Sequence, residues 1–321
     1  MPARRGSALL QAAARRLGGM LVVMLIVASV VFVIVRVAPG DPAAVMLGPD
    51  ATASDIAALR TRWGLDQPLP AQYAVFLAQL LRGNLGESIF LNQPVLTALA
   101  SRAEPTLLLT LFAIAIAVAI ALPTGIFAAY RRNSAFDRIV VTGTMAAASV
   151  PTFWLGLVLI EVFAVRLGWL PTSGYSAPGA TIGYRLIHLL LPAVTLGVAS
   201  SALITRFTRA SMLDVLGDDF VRTARAKGVA EYGVVMRHAL RNALMPILTV
   251  IGLTIALLLS GAVVTETVFG LPGVGNLVVS AVLRRDYPVI QGALLVLAGV
   301  YVLVNAAIDM LYLVVDPRVR S

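Results

Sequence analysis

The sequence predicts an all-α integral membrane protein with six transmembrane helices, and three observations carry this prediction. Hydrophobic residues make up 59% of the 321 residues and charged residues only 13%. A water-soluble domain of this length needs far more charge to cover its surface. Six apolar stretches reach the length of about 20 residues that a helix needs to cross the hydrocarbon core. Arginines flank these stretches, as topology signals do.

The six predicted spans are placed by apolar length. They run over residues 17–37, 105–129, 139–165, 187–204, 244–268 and 289–315. The apolar part of the first stretch is longer than the roughly 7–15 residues of a signal-peptide core, so we expect an uncleaved anchor. Prolines and glycines inside the spans, such as Pro123 and Pro151, are expected to be tolerated because neighbouring helices satisfy the freed backbone groups.

The distribution of basic residues predicts the orientation of the spans. With the amino terminus inside, sixteen Lys and Arg residues fall on the cytoplasmic side and nine on the other side. Cytoplasmic loops carry such an excess, so both termini are predicted to be cytoplasmic. The predicted order is a cytoplasmic tail (1–16), the first span (17–37), a periplasmic helical subdomain (38–104), a core of five spans (105–315) and a second cytoplasmic tail (316–321).

The periplasmic segment 38–104 is too long for a turn and carries the signals of small helices. Thr52 and Asp55 have the spacing of a capping box at the start of a helix, and Gly64 can end that helix. Pro70 suits the first turn of a second helix, with Gly83 just past its end.

The cytoplasmic segment 205–243 predicts a short helix that ends in a glycine elbow. Asp218 and Asp219 precede the helix and Arg225 lies near its end, so both signs of charge complement the helix dipole. Gly228 takes the position where a left-handed residue commonly closes a helix.

A second helical pattern follows over residues 230–244. Met236, Leu240 and Leu244 share one face of it, while Arg237 and Arg241 share another. A compact helical elbow favours docking to a partner. The alternative is a solvated, positively charged connector between two spans.

Two runs in this segment carry a resemblance to a known family. They are Arg222-Thr223-Ala224-Arg225-Ala226-Lys227-Gly228 and His238-Ala239-Leu240-Arg241-Asn242-Ala243-Leu244, followed by Pro246. Together they resemble the coupling-loop signature of binding-protein-dependent ABC permeases, in particular the dipeptide/oligopeptide/nickel subclass. Ala224, Gly228 and Leu240 fall in register with the general signature. Arg222 and Thr223 replace Glu and Ala, His238 replaces Ile and Arg241 replaces Pro, and these departures match the subclass.

Further motifs extend the resemblance over nearly the whole chain, with Asn84 standing where Asp is usual. They are Pro39-Gly40-Asp41-Pro42, Gly64-Leu65-Asp66-Gln67-Pro68-Leu69, Gln72-Tyr73, Arg82-Gly83-Asn84-Leu85-Gly86, Ser149-Val150-Pro151-Thr152-Phe153-Trp154, Glu266, Phe269-Gly270-Leu271-Pro272-Gly273-Val274-Gly275 and Asp316-Pro317-Arg318-Val319-Arg320.

The resemblance implies a permease subunit of a type I ABC importer in the bacterial inner membrane, which forms half of a translocation pathway. In this family the cytoplasmic elbow inserts into a groove of a separate ATPase subunit. The implied partners are a second permease subunit in a heterodimeric pore, one or two ATPase subunits, a substrate-binding protein and membrane lipid. A homodimeric pore is the alternative. The implied ATPase-coupling residues are Asp219, Phe220, Arg222, Thr223, Ala224, Arg225, Ala226, Lys227, Gly228, His238 and Leu240.

The sequence also lacks the signature of an ATPase. A P-loop needs a lysine after its second glycine, and the only lysine, Lys227, instead precedes Gly228. ATP and magnesium are therefore expected to bind to the partner ATPase and no cofactor to this chain. The glycines Gly270, Gly273 and Gly275 predict a turn that caps the fifth span. The arginines flank apolar runs and do not form the basic face of a soluble module, so nucleic acid is not expected as a partner.

Two other classes of function remain as alternatives. A membrane hydrolase would use Ser260, but neither His188 nor His238 lies mid-span to serve it. An ion-coupled secondary carrier would use Glu161 and Asp309 as intramembrane carboxylates. For these two residues we favour positions at an interface or pairs with arginine, such as Asp309 with Arg206.

The substrate class is the least defined part of the prediction. The subclass includes importers of di- and oligopeptides, nickel complexes and glutathione. The chain has no cysteine and only two histidines, far apart in sequence, which favours peptides over a bare metal ion.

Overall fold

The computed structural model of the protein describes residues 3–37, 42–48, 51–62, 64–175 and 181–315. Two features of the sequence, the motif at 39–41 and the tail 316–321, lie outside these residues. The described residues are mainly helical, which confirms the all-α prediction. The helices are α1 (Ala3–Val37), α2 (Pro42–Leu47), α3 (Ala53–Arg62), α4 (Leu69–Leu81), α5 (Val95–Tyr130), α6 (Ala135–Ser149), α7 (Thr152–Leu159), α8 (Ile182–Leu216), α9 (Asp219–Ala226), α10 (Glu231–Gly233), α11 (Leu240–Val268), α12 (Val274–Arg284) and α13 (Tyr287–Val315).

Two π-helical segments extend these helices. Ile160–Arg166 continues α7, and Val234–Ala239 joins α10 to α11. Five helices are long and apolar enough to cross a membrane, and a bent helix pair can provide a sixth crossing. The helices group into two compact units, Met1–Ala103 with Leu277–Leu303 and Glu104–Asn276 with Val304–Ser321.

The prediction of one continuous helix over 139–165 is wrong. The chain forms α6 and α7 instead, bent by 97° where they meet. The break falls at Val150, whose backbone is extended (φ −83°, ψ 123°), directly before Pro151. A residue before proline is biased away from the helical region, and here no helix continues across it. Pro123 lies inside an unbroken helix, as expected for its span. Pro192 and Pro246 also lie inside unbroken helices.

The second unit is built on close contact between α5 and α8. A Cβ on Gly125 of α5 would lie 2.9 Å from the carbonyl oxygen of Thr205, and a Cβ on Gly197 of α8 would lie 2.9 Å from the carbonyl oxygen of Ala113. Glycine at both positions lets the two backbones approach, which is how helices pack in membranes. Since residue numbers rise together along both helices, α5 and α8 run parallel.

The parallel direction decides the number of crossings in this unit. The chain leaves α5 at one end of the pair and enters α8 at the other, so residues 131–181 must return across it. Only α6 and α7 with its π-helical end are available for that return. The bent pair therefore counts as one crossing, and the helices that the structure describes provide six candidate crossings.

The core of the second unit lies between α5, α8 and α11, in three layers. One layer contains Leu109, Leu189 and Ala262, the next Ala121, Ile204 and Val250, and the last Ala129, Met212 and Ala243. Numbers fall along α11 while they rise along α5 and α8, so α11 runs antiparallel to both.

The first unit contains the predicted small helices. Thr52 and Asp55 form the expected capping box, with Asp55 N–H donating to Thr52 Oγ1 (3.3 Å) and Thr52 N–H donating to Asp55 Oδ2 (3.2 Å). Gly64 and Gly83 follow α3 and α4 with positive φ. These local helix signals are confirmed.

A buried aspartate ties the chain before α5 to the start of α13. Asp286 is almost fully buried and accepts hydrogen bonds from Ser88 Oγ (2.5 Å), Ile89 N–H (3.3 Å) and Val289 N–H (3.4 Å). The bonds from Ser88 and Ile89 join residues nearly two hundred positions apart within the first unit.

Candidate functional site

The candidate site is the elbow, residues 218–232, which connects α8 to α10. Its first half is α9, and the helix ends in a Schellman motif: Gly228 N–H donates to Arg225 O (2.9 Å) and Val229 N–H to Ala224 O (3.2 Å). Gly228 has φ +76°, the left-handed conformation that glycine adopts without strain. The predicted glycine elbow is therefore present, and its turn is defined by two backbone hydrogen bonds.

An ion pair closes the elbow on its polar side. Arg225 Nε and Nη2 donate to the two carboxylate oxygens of Glu231 at 3.2 and 2.9 Å. This hydrogen bonding raises the pKa of the Arg225 guanidinium. A two-pronged contact of this kind fixes orientation as well as distance, so α9 and α10 are held at a defined angle.

A small apolar core closes the elbow on its inner side. Val221, Ala224 and Val234 are buried together, with Val215 and Leu216 of α8 packed against them. The elbow is thus braced against the end of α8, and we expect it to move with α8 and α11 as one body.

The eleven residues predicted to couple to an ATPase do not all lie on the surface. Ala224 is buried, and Leu240 packs against the core layer around Met212, so these two are packing residues. His238 is half-buried in the π-helical segment. Of the predicted coupling residues, those exposed along the elbow are Asp219, Phe220, Arg222, Thr223, Arg225, Ala226, Lys227 and Gly228.

Two exposed apolar side chains on the elbow escaped the sequence analysis. Tyr232 is 79% exposed and Val229 is 37% exposed, close in sequence to Phe220, which is 41% exposed. An aromatic residue within a charged, water-facing segment is the signal that could have identified Tyr232, because such a side chain is most often kept for contact with a partner.

The helix after the elbow buries a different face from the one that 3.6-residue spacing indicates. Val235, Ala239 and Ala243 are buried in the core layer around Met212, whereas Met236 is exposed. The π-helical segment Val234–Ala239 winds more residues into a turn than an α-helix does, so the predicted face of Met236 is shifted outward at this point.

A buried carboxylate lies at the opposite end of α11. Glu266 is fully buried and accepts hydrogen bonds from Thr106 Oγ1 (2.5 Å) and Asn276 N–H (2.9 Å). Val274 N–H donates to the same Thr106 Oγ1 (2.9 Å), so the cluster fixes the first turn of α12. A Cβ on Gly273 would lie 2.2 Å from Glu266 Cδ.

This cluster gives the glycine-rich turn after the fifth span its structure. The predicted turn at residues 269–275 is confirmed, with Gly270 at φ +60°. Gly273 and Gly275 are needed for space rather than for flexibility, since Glu266 at the first position, and Val263 with Glu266 at the second, fill the volume that a side chain would occupy.

Of the two carboxylates considered for an ion-coupled carrier, the structure describes the side chain of Glu161, which is exposed. Glu161 accepts a hydrogen bond from Arg166 Nε at 2.9 Å, and both side chains are exposed. The side chains of Asp309 and Ser260 lie outside the described residues. Arg206 is exposed on α8.

One buried ion pair was not foreseen. Arg209 donates from Nη2 to Asp137 Oδ2 at 2.8 Å, joining α8 to the start of α6. Asp137 also accepts from Asn133 N–H (2.9 Å) and donates its own N–H to Ser134 Oγ (3.2 Å). The capping spacing of Ser134 and Asp137 is visible in the sequence, but the partner Arg209 lies 72 residues away.

The pair of Asp309 with Arg206 remains a prediction. Reversing either charge alone should lower the abundance of the protein in the membrane, and reversing both should restore it. Immunoblots of membrane fractions measure this directly. Low abundance in the double variant Asp309→Arg with Arg206→Asp would count against the pair.

The chain matches two family descriptions along its length. Residues 121–321 match the binding-protein-dependent transport system inner membrane component family, and residues 9–110 match the amino-terminal membrane component of such systems. These two matches together cover both compact units.

Curated relatives are similar over almost the full chain. A probable peptide ABC transporter permease protein, y4tP of Sinorhizobium fredii, is 44% identical over 306 residues, which is 95% of this chain and 98% of the relative. The glutathione transport system permease protein GsiC of Escherichia coli K12 is also 44% identical over 306 residues, covering 95% of this chain and 97% of its own length.

Solved structures share the fold. A chain of the methionine ABC transporter MetNI, in an inward-facing conformation, superposes with a TM-score of 0.58 over 69% of this chain and 97% of its own, at 20% identity. The family matches, the identity to curated relatives and the shared fold agree with one another. The chain belongs to the family of binding-protein-dependent transport system inner membrane components, the multi-pass permease subunits of ATP-driven importers.

Proposed function

We propose that this permease forms half of a translocation pathway for di- or oligopeptides, and that its elbow couples the pathway to a separate ATPase subunit. The observation that carries the coupling proposal is the braced elbow, which presents exposed side chains on a rigid support. The two curated relatives support the substrate class, because one is named as a peptide permease and the other as a glutathione permease, and glutathione is itself a short peptide.

The rigidity of the elbow is what a coupling element requires. Nucleotide-driven motion of an ATPase reaches the membrane only through an element that does not deform under load. Here the Schellman motif, the pair of Arg225 with Glu231 and the core around Val221 restrain α9 from three sides. The helix that follows, α11, has 29 residues and is about 43 Å long, so a displacement of the elbow reaches the far side of the membrane.

The exposed surface of the elbow suits a protein partner. Phe220, Val229 and Tyr232 are apolar or aromatic and water-accessible, and Asp219 and Arg222, which pair at 3.3 Å, are charged neighbours of Phe220 along α9. An apolar centre with charged neighbours is typical of an interface, where aromatic and Arg side chains supply most of the binding energy.

The remaining partners follow from the same proposal. The chain has no P-loop, so ATP and magnesium bind to the ATPase subunits, one or two of which dock at the elbows. A second permease subunit, forming a heterodimer, completes the pore, with a homodimer as the alternative. A binding protein delivers substrate on the side that the basic-residue count assigns to the periplasm, where residues 38–104 form the outer subdomain.

The direct test is ATPase activity of the complex reconstituted in liposomes with its binding protein. This chain alone should show no hydrolysis. Hydrolysis by the complex should rise when the binding protein carries a dipeptide. Stimulation by glutathione or by a nickel chelate, but not by dipeptides, would assign that ligand as the substrate in place of dipeptides. Solute movement driven by an ion gradient without an ATPase would overturn the proposal.

The coupling role of the elbow is tested by Gly228→Val. A β-branched residue at φ +76° is strained by about 1–3 kcal/mol, so the Schellman turn should not form. We expect loss of peptide uptake, measured with labelled dipeptide, through uncoupling of hydrolysis or loss of the ATPase from the purified complex.

Ala230→Val is the matched control for this variant. Ala230 is exposed and has an extended backbone (φ −56°, ψ 140°) that valine adopts readily, so uptake should persist. Normal uptake by Gly228→Val at normal abundance would contradict the coupling role.

A further inference from the structure

The helix α4 has an unusual composition for a segment outside the six crossings. Its 13 residues, LPAQYAVFLAQLL, contain no charged side chain, and none of them is buried. At about 20 Å it is too short to cross the hydrocarbon core of about 30 Å. By contrast, α3 in the same unit carries Asp55, Arg60 and Arg62 among its ten residues.

Contacts place α4 beside the part of α1 that crosses the membrane. Tyr73 Oη lies 2.6 Å from Ser29 Oγ, and Arg36 Nε donates to Gln72 Oε1 at 3.1 Å. The Phe32 ring packs against the rings of Tyr73 and Phe76, with centroids 5.1 and 5.5 Å away.

These contacts show how far α4 reaches from the carboxyl end of the candidate crossing in α1 toward its middle. The candidate crossing is Gly18–Val37, and Ser29 lies seven residues before Arg36. Seven residues of helix correspond to about 10 Å along the axis, so Tyr73 reaches well inside the end of the crossing. Arg36 and Gln72 form the polar edge of the contact, where a charged side chain can reach the lipid headgroups.

The face of α4 that points away from α1 is apolar and exposed. Leu81 is 89% exposed and Val75 is 51% exposed, with the exposed alanines Ala74 and Ala78 between them. Only Gln79 interrupts this face with a polar group. The candidate crossing in α1 carries exposed apolar side chains such as Ile34 at the same level, so we expect lipid beside α4 in this region.

We propose that α4 is an interfacial helix that lies in the leaflet at the carboxyl end of α1, with the face of Ala74, Val75, Ala78 and Leu81 in contact with acyl chains. A short apolar helix beside a membrane crossing, without charge on its outward face, is what such a position requires. A docking face for a soluble protein would carry a polar rim of the kind that α3 shows. The amino-terminal subdomain is therefore anchored in the bilayer rather than held above it.

Spin labelling tests this proposal without a background signal from this chain, because its sequence has no cysteine. Ala74→Cys, Ala78→Cys and Leu81→Cys are labelled with a nitroxide in the full chain with its co-purifying subunits, in liposomes of phosphatidylethanolamine and phosphatidylglycerol. Collision with oxygen reports the bilayer, and collision with a water-soluble nickel chelate reports solvent. Ala58→Cys on the exposed face of α3 is the aqueous control, and Ile26→Cys on α1 is the lipid control.

The expected result is a severalfold higher ratio of oxygen to nickel accessibility at positions 74, 78 and 81 than at position 58, approaching the ratio at position 26. Nickel accessibility equal to that of position 58 would overturn the proposal. Immobile labels shielded from both reagents would overturn it too, by assigning the face to a protein partner.

A second measurement uses the unmodified chain, so it does not depend on variants that assemble poorly. A lipid with a photoreactive group on its acyl chain is incorporated into the same liposomes and crosslinked by light. Mass spectrometry should find the lipid on the tryptic peptide that ends at Arg82. Lipid on α1 without lipid on that peptide would reject the proposal.

Discussion

The two ends of the continuous helical segment that runs from α10 to α11 use the same kind of residue in opposite ways. At the elbow, Glu231 pairs with Arg225, and both side chains remain about two-fifths exposed, at 39% and 41%. At the far end, Glu266 is fully buried and held by Thr106 Oγ1 and a backbone N–H. One carboxylate lies where water and a partner can reach it, and the other lies where neither can.

The difference in exposure between Glu231 and Glu266 distinguishes residues that contact a partner from residues that stabilise the fold. A buried carboxylate with several donors has no capacity left for binding, so its removal should affect stability first. A half-exposed ion pair contributes little to stability because solvent screens it, so its removal should affect docking first.

The largest effect is expected from Gly273→Ala. The new methyl group would lie 2.2 Å from Glu266 Cδ in a site with no free volume, which we expect to destabilise the fold by up to about 3 kcal/mol. Thermal unfolding of the detergent-purified protein and its abundance in membranes measure this. Gly261→Ala on α11, where nothing lies within 4 Å, is the control and should be neutral. Equal stability of both variants would contradict the space-filling role of Glu266.

A smaller effect is expected from Glu266→Gln. The amide fills the same space but cannot accept from both Thr106 Oγ1 and Asn276 N–H, so we expect a loss of about 1–2 kcal/mol. Thr106→Val removes the hydroxyl group that donates to Glu266 and accepts from Val274 N–H. Because the two residues act together, the double variant should lose less than the two single losses added. Strictly additive losses would mean that the cluster is not one unit.

The smallest effect on stability is expected from Glu231→Gln at the elbow. This half-exposed pair should contribute less than about 1 kcal/mol, so unfolding should barely shift. Peptide-stimulated ATP hydrolysis should fall, because α9 loses its fixed angle to α10. Exchanging the charges, with Arg225→Glu and Glu231→Arg, should recover part of the hydrolysis. Full hydrolysis in Glu231→Gln would show that the Schellman turn alone sets the angle.

Local features of this chain were readable from the sequence, and long-range ones were not. The capping box at Thr52 and the glycine at 228 depend on neighbours within a few residues, so residue type and spacing were enough to predict both. The role of Glu266 depends on Thr106, which is 160 residues away, and no local pattern announces that contact.

The prolines show the same limit of prediction from local sequence. Pro123, Pro192 and Pro246 lie within continuous helices, whereas the chain bends by 97° before Pro151. The bias of the preceding residue is common to all four positions. The core layers between α5, α8 and α11 hold the first three in line, and that support comes from the tertiary structure rather than from the residues beside each proline.

The two glycine contacts between α5 and α8 also have a mechanical consequence. Two rods that touch at one point can pivot about it, but two rods fixed at two separated points can neither pivot nor slide. The contact at Gly125 and the contact at Gly197 provide two such points, each closing backbone against backbone. The pair α5 and α8 should therefore behave as a single stiff beam, so that a displacement of the elbow at the end of α8 carries both helices together.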